Sequence, residues 1–349
     1  MGRKRVQRRH AAMLRHLPPW SGGSKVPGRR AFLRLPNPVG TDHDRDMTTP
    51  QISVGSIVVA VDGSEHAARA VQWAVEQAGL EHRPLVVVHA AGEGDVRDAV
   101  WADGARAYPY DPSDILHSSR AIVDDAVDLA RGMQSELTIV PMPVVGDPRQ
   151  VLVDLSPRAH LIVMASRGRG TFRSRLLGSV SASVSRHAEC PVVVCRPVSA
   201  SPLTHGVVAG ADATPQSLPV IEFAFQQASL RRLRLTVVHC FWDASAAVSD
   251  IRELPQGEEG PESQSDLRLL LSESVAGLSE KYPDVEVSLR LAHGLVDEGL
   301  AAISDGASLV VVGRHPIHGL SRTLSIAVAT AVLERAHCAV AVVPEPETA

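Results

Sequence analysis

Between an apolar run, Leu161 to Ala165, and a stretch of helical spacing at Val180, Val184 and Ala188 lies the segment SRGRGTFRSRLLGS, Ser166 to Ser179. Its residue types suit one kind of chemistry. Gly168 and Gly178, separated by nine residues, let the backbone approach a ligand with no Cβ in the way. Ser179 then opens a helix, whose first N–H groups and dipole favour an anion. Arg167, Arg169, Arg173 and Arg175 add forked donors matched to phosphate oxygens. The segment reads as a phosphate cradle; the alternative is a glycine-rich turn with solvated arginines that holds nothing.

Two familiar phosphate loops do not fit. A Walker A loop ends in G-K-[ST], and lysine occurs only three times here, at Lys4, Lys25 and Lys281. A dinucleotide fingerprint follows the first strand and carries a third glycine. Gly168-x-Gly170 follows the fourth strand, and Arg173 takes the third place.

Signs of catalysis are few. The chain has 15 histidines, so some fall near serines and aspartates by number alone. No G-x-S-x-G elbow, H-E-x-x-H zinc motif or paired-carboxylate cluster is present. His89 and His239 recur at equivalent strand ends and read as structural histidines, and His117-Ser-Ser-Arg120 has no nameable partner. The H-x-G-H and S-G-G-x-D-S signatures of adenylate-forming enzymes are absent. The sequence therefore predicts that a bound phosphate compound acts as a signal, turned over slowly if at all, and no enzyme.

The elements that would position this loop repeat. Ile57 to Val61 predicts a buried strand, followed by a helix with Ser64 as N-cap, Gly79 at its end and a buried stripe of Ala67, Ala70, Val71, Ala74, Val75 and Ala78. PLVVVHA and LTIVPMPVV predict the second and third strands. Asp147 caps a helix with Pro148 in its first turn. HLIVMA and CPVVVCRP supply strands four and five. The second half runs through the same order with GVVAGADATPQSLPVIEFAFQQAS, RLTVVHCF, VEVSLRLAHG, ASLVVVGRH and CAVAVVPE. Gly146 and Gly294, like Cys190 and Cys338, stand 148 positions apart, and Ala159, Leu161, Val163, Leu176, Val180, Val184 and Ala188 recur at that offset. This is an internal duplication. Near-continuous apolar strands alternating with helices predict an α/β fold: two tandem Rossmann-like domains, each a five-stranded, mostly parallel sheet covered by helices on both faces. Residues 51–199 form the first domain, 200–204 a linker and 205–345 the second.

The 349 residues, 44% hydrophobic and with a formal net charge of -4, suit two ordinary domains. No run reaches the ~20 apolar residues of a membrane helix. Cys190, Cys195, Cys240 and Cys338 form no C-x-x-C pair and read as buried, reduced thiols of a cytoplasmic protein. Residues 1–50 carry eleven basic residues against Asp42, Asp44 and Asp46. This segment is expected to be a disordered basic tail, with Met47 as an alternative start. Aromatic residues make up 3% of the chain, too few for base-stacking platforms, so nucleic acid is not an expected partner.

The spacing G-x-x-G, nine residues, G-[ST] at a fourth strand resembles that of the universal stress protein family. So do VAVDGS at the first strand, VVVHA in the second, VVGDP before the third helix and CPVVV in the fifth strand. The resemblance covers both copies, about residues 56 to 344, in the tandem two-domain form. It implies a Rossmann-like fold of the adenine nucleotide alpha hydrolase-like kind and, in the ATP-binding branch, a set of ligand residues. Asp62, with Ala60 beside it, would meet the adenosine end. Ala90 would line the base pocket and Met164 the nucleoside. Ser166, Arg167, Gly168, Gly178, Ser179, Val180 and Ser181 would meet the triphosphate and ribose, with Mg2+ carried on the phosphates.

Ala165 departs from the pattern, which has its first glycine there; a methyl is tolerated if the backbone angle is negative. The second copy departs further. Asp212 and Gly313 remain, but Pro316 replaces the second glycine, and Ile326 and Ala327 replace the G-[ST] pair. This is read as a degenerate site. The resemblance thus implies an ATP-binding regulator of the stress response, with a pseudo-site docking protein or a slow ATPase as alternatives. Apolar strands five, PVVVC and AVAVV, predict pairing either within one chain as a pseudo-dimer or in a homodimer of chains.

Overall fold

The computed structural model describes residues 51–92, 112–168, 177–196, 204–212, 214–241, 252–253, 262–314 and 320–345; within these, the side chains of 112–115, 252–253, 262–264 and 320–327 are not described. The basic tail, the centre of the phosphate loop and most of the linker lie outside the described residues.

The first half runs β1 (Ser56–Ala60), α1 (Glu65–Glu81), β2 (Leu85–Ala91), α2 (Pro112–Met133), β3 (Ile139–Val145), α3 (Pro148–Leu155), β4 (Ala159–Ala165), α4 (Ser179–His187) and β5 (Val192–Cys195). The second half runs β6 (Gly206–Gly210), a short 3-10 turn, α5 (Leu218–Arg231), β7 (Leu235–Phe241), β8 (Arg252–Glu253), α6 (Glu262–Lys281), β9 (Val287–His293), α7 (Val296–Ile303), β10 (Ala307–Arg314), α8 (Leu320–Arg335) and β11 (Ala339–Pro344).

The fold class is as the alternation of elements predicts, with one addition. The two parallel sheets are joined into a single sheet of order β3-β2-β1-β4-β5-β11-β10-β6-β7-β9-β8. The joint is an antiparallel pairing of β5 with β11, in which Val194, Val193 and Val192 face Val340, Ala341 and Val342. Every other pairing is parallel except that of the short β8, which lies antiparallel on β9 as a sixth strand of the second half.

Strand residues alternate between two cores, one on each face. Ile57, Val59, Leu85, Val87, Leu161 and Val163 pack under α1, α2, α5 and α6. Val58, Val86, Ile162 and Met164 pack under α3, α4, α7 and α8. Both cores run through the seam without a break. Full burial of one such Val or Leu contributes about 1.5–3 kcal/mol, which is why strands apolar at every position are stable only when both faces are covered.

Local signals explain the helix starts. The Ser64 side chain accepts from Ala67 N–H, and the Asp147 side chain from Arg149 N–H, with Pro148 in the first turn. The expected stop of α1 at Gly79 is two residues early. The helix runs to Glu81 and ends at His82, in the left-handed region with φ 53°. Gly79 is interior, and a Cβ there would lie 2.4 Å from Gln134 Oε1. The glycine makes room for that neighbour. Cys190, Cys195 and Cys338 are buried and Cys240 half-buried, all four as free thiols. Burial pushes the first three up to about 12 and Cys240 to about 11.

Candidate functional site

In the first half the strand order reverses between β1 and β4, since β1 is flanked by β2 on one side and β4 on the other. A cleft of about 430 Å³ opens at the carboxyl ends of these strands, the place where open parallel sheets take ligands. Val88, Ala90, Met164, Pro148 and Leu152 give it an apolar wall. Asp62, Arg167, Gly168, Gly178 and Ser179 give it a polar one.

Of the residues that the family resemblance assigned to a nucleotide, ten line this cleft: Ala60, Asp62, Ala90, Met164, Arg167, Gly168, Gly178, Ser179, Val180 and Ser181. Ser166 does not. It is buried, and its carbonyl accepts the Gly178 N–H at 2.9 Å, pinning together the two ends of the loop. A Cβ on Gly178 would stand 3.3 Å from both that carbonyl and Ser181 Oγ. Its φ of -65° makes no demand for glycine; the closeness of the pin does. Gly168 is held by a tighter constraint, because a Cβ there would lie 2.4 Å from Asp62 Oδ2. Arg169, Arg173 and Arg175 lie outside the described residues.

Gly178 is the N-cap of α4 and brings no side chain to cap it. The first helical bond is from Ala182 N–H to Gly178 O at 2.9 Å. The N–H groups of Ser179, Val180 and Ser181 precede that bond and have no partner along the helix axis. They meet the cleft with the positive end of the helix dipole. Ala165, where the family pattern has glycine, is the last residue of β4 and pairs with Cys195 in extended conformation. Its methyl therefore costs no backbone strain.

Asp62 turns back on its own helix start, accepting Ser64 N–H at 3.1 Å and Ser64 Oγ–H at 2.6 Å. His89 is buried in the cleft wall with Nδ1 2.7 Å from the Val61 carbonyl. A carbonyl only accepts, so Nδ1 carries the proton. At the rim, hydrogen bonds from Arg149 hold the Asp147 carboxyl below the usual carboxylate range. Val61, Val88, His89, Pro148 and Leu152 also line the cleft and were not assigned to it from sequence. Pro148 was legible only as a helix start; the location of that start at the cleft rim makes it a wall.

The second half keeps the frame of this site. Asp212 accepts Thr214 N–H at 2.9 Å and Thr214 Oγ1–H at 2.7 Å, and His239 Nδ1 lies 2.9 Å from the Ala211 carbonyl. Gly313, however, faces a carboxyl: a Cβ there would fall 2.0 Å from Glu345 Oε1. Burial, with Asp212 nearby, pushes Glu345 up to about 8, and Arg314 opposes that shift. Pro316 lies outside the described residues, and Ile326 and Ala327 lie on the α8 backbone.

The family model described as "Universal stress protein family" matches residues 54–196 and 204–344. The chain is 35% identical over 305 residues to the universal stress protein Rv2005c of Mycobacterium tuberculosis, covering 85% of this chain and 99% of that one. It is 32% identical over 315 residues to Rv2623 of the same species, covering 86% of this chain and all of that one. Among solved structures, a universal stress protein from Archaeoglobus fulgidus shares the fold with a TM-score of 0.59 at 15% identity, covering 84% of this chain and 97% of that one.

Proposed function

The chain belongs to the universal stress protein family, and from that premise we propose that its first half binds one adenine nucleotide, ATP, as a regulatory ligand in the stress response. The observation that carries this reading is the pairing, in one cleft, of an apolar wall with an uncapped helix start. The wall of Val88, Ala90, Pro148, Leu152 and Met164 suits a flat, apolar base. The N–H groups of Ser179, Val180 and Ser181, with Arg167, suit phosphates. Asp62 lies between them as an acceptor for a sugar hydroxyl. A volume of about 430 Å³ is within the usual range for small-ligand sites, about 300–1,000 Å³.

Among the described residues no three His, Cys, Asp or Glu side chains stand together, so a magnesium ion would be carried on the phosphates. The same cleft favours retention over turnover. The Asp62 carboxylate is turned onto Ser64, and among the described residues no lysine lines the cleft to take charge developing on a transferred phosphate. Efficient phosphoryl transfer needs such a residue. In the second half, Pro316, Ile326 and Ala327 replace the loop residues, and one strong site per chain is the expected stoichiometry.

Calorimetric titration of the full chain with magnesium ATP, followed by a turnover assay, tests this. One site and a rate far below the ~1–100 s⁻¹ of kinases are expected. No binding, or two equal sites, would overturn the assignment; turnover within that range would make the protein an ATPase.

A further inference from the structure

The two halves hold each other by more than the β5–β11 seam. Arg196, just after β5, reaches across to the end of α8. Its Nε donates to Ala336 O at 2.7 Å and its Nη2 to Glu334 O at 2.9 Å, and its Nη1 donates to Leu333 O. Arg314, at the end of β10, answers in the other direction. It donates through Nη1 to Arg186 O and through Nη2 to Ala188 O, at the end of α4. Each half thus supplies a guanidinium to the unsatisfied carbonyls at the other half's last helix, where positive charge also favours the dipole.

The two clamps are alike in chemistry and unlike in what they grip. The helix held by Arg196 is α8, along whose backbone lie Ile326 and Ala327, the counterparts of Gly178 and Ser179. The helix held by Arg314 is α4, whose opposite end carries the uncapped N–H groups of Ser179 to Ser181. With nine residues, α4 is about 13 Å long. Its described hydrogen-bonded anchors at the N-terminal end both run to the Ser166 carbonyl, from Gly178 N–H at 2.9 Å and from the Ser181 hydroxyl at 3.5 Å. Ala182, Ser185, Ala329 and Leu333 bring α4 and α8 together beside Arg314. Arg314 also stands 148 positions after Ser166, the residue that pins the phosphate loop in the first half.

We propose that Arg314 is a positioning residue for the first half's anion site: the second half, through this side chain, holds α4 at the orientation in which its N-terminal amides receive phosphate. The inference rests on the nucleotide reading above. It gives the second copy a part in binding although its own loop is altered. Binding at the α4 N-terminus needs donors fixed before the ligand arrives, and fixing the far end of a two-and-a-half-turn helix restricts its tilt at both ends.

The test is magnesium ATP affinity, by calorimetry on the full chain, for wild type, Arg314→Gln, Arg314→Lys and Arg196→Gln, with the melting temperature of each ligand-free protein. Arg314→Gln should weaken ATP by about fivefold or more, the lower range of couplings between sites. Arg314→Lys should recover part of that loss, since an ammonium can still donate to the two carbonyls. Arg196→Gln should lower the melting temperature as Arg314→Gln does while keeping wild-type affinity. Unchanged affinity in Arg314→Gln overturns the inference, and so does an equal loss in Arg196→Gln, which would mean that destabilisation alone weakens binding. If Arg314→Gln does not fold, the comparison of Arg314→Lys with Arg196→Gln decides by the same criterion. A wild type that takes no ATP would overturn the nucleotide reading itself and this inference with it.

Discussion

The first and second halves are built on the same internal contacts and differ where a ligand would sit. His89 and His239 each bond the carbonyl 28 residues before them, Val61 and Ala211. Ser156 Oγ accepts the Glu189 N–H at 2.8 Å, and Ser304 Oγ accepts the His337 N–H at 2.9 Å. The α1 and α5 helices both end on a left-handed residue, His82 and Arg232. These repeated contacts satisfy buried polar groups or end helices, so each is needed wherever the fold is needed. The halves diverge at the loop after strand four: Ser166 against Arg314, Gly178 against Ile326, Ser179 against Ala327. Gly313 looks like a retained ligand glycine, but the Glu345 carboxyl packed against it gives it a different reason to be there. Duplication has kept the contacts that fold the unit and changed the residues of this loop.

The comparison can be broken most severely at Gly178. Gly178→Glu places a carboxylate at the α4 N-terminus, against any phosphate. ATP affinity should fall by about a hundredfold or more, a loss of at least ~2.7 kcal/mol. The rise in melting temperature that ATP gives the wild type by mass action should vanish with it. Thermal melts with and without ATP read both. Retained affinity would show that phosphate does not lie at this helix start.

A smaller effect is expected at Gly313. Gly313→Ala drives a methyl into the space of the Glu345 carboxyl and should destabilise the ligand-free protein by about 1–3 kcal/mol, the usual cost of overpacking. Glu345→Ala in the same chain should relieve most of it. Denaturant melts of the single and double variants measure the coupling. Additive effects would show that the glycine does not serve Glu345. At the equivalent first-half position Ala165 is already present in extended strand, so Ala165→Gly should gain nothing.

A further effect is a pH dependence that originates in the second half. Glu345 is raised in the fold to about 8 by burial and by Asp212, with Arg314 opposing, whereas in an unfolded chain a glutamate titrates near ~4.3. Below the unfolded value both states are protonated and this contribution to stability is fully present. As pH rises from there towards about 8, the unfolded chain releases its proton first and stability falls; above about 8 both are ionised and the dependence ends. Glu345→Gln should remove that decline. Denaturant melts between pH 5 and 9 check it, and an unchanged slope in the variant would assign the decline to other groups.

How much of this was legible before the structure depends on the range of the interaction. Ser64, Asp147 and Pro148 act within three residues, and the apolar alternation acts within one strand. Those readings needed only the local sequence. The duplication exposed the tandem fold because a shared offset is itself long-range information. Gly79 was misread since its reason, the Gln134 side chain, lies just past the end of another helix, α2. Arg196 and Arg314 gave no signal: an arginine at a strand end looks solvated in sequence, and their targets are 126 to 140 residues away. His89 read as a structural histidine, which it also is, because the cleft wall and the core are the two sides of one layer.

The edge strand β3 has a consequence for how these chains meet one another. Leu85 N–H donates to Thr138 O and Gly146 N–H to Ala91 O, so the even-numbered residues of β3 carry the ladder to β2. The odd-numbered residues then turn their amides outward, and two of them are Pro141 and Pro143, which have no amide proton. The rim of the sheet on that side cannot take up another strand by backbone pairing, and the β5 and β11 rims already face each other inside the chain. Growth into fibres along this rim is opposed by two imino acids, and among the described residues the remaining sheet edge lies on the far side, where the two-residue β8 covers only part of β9.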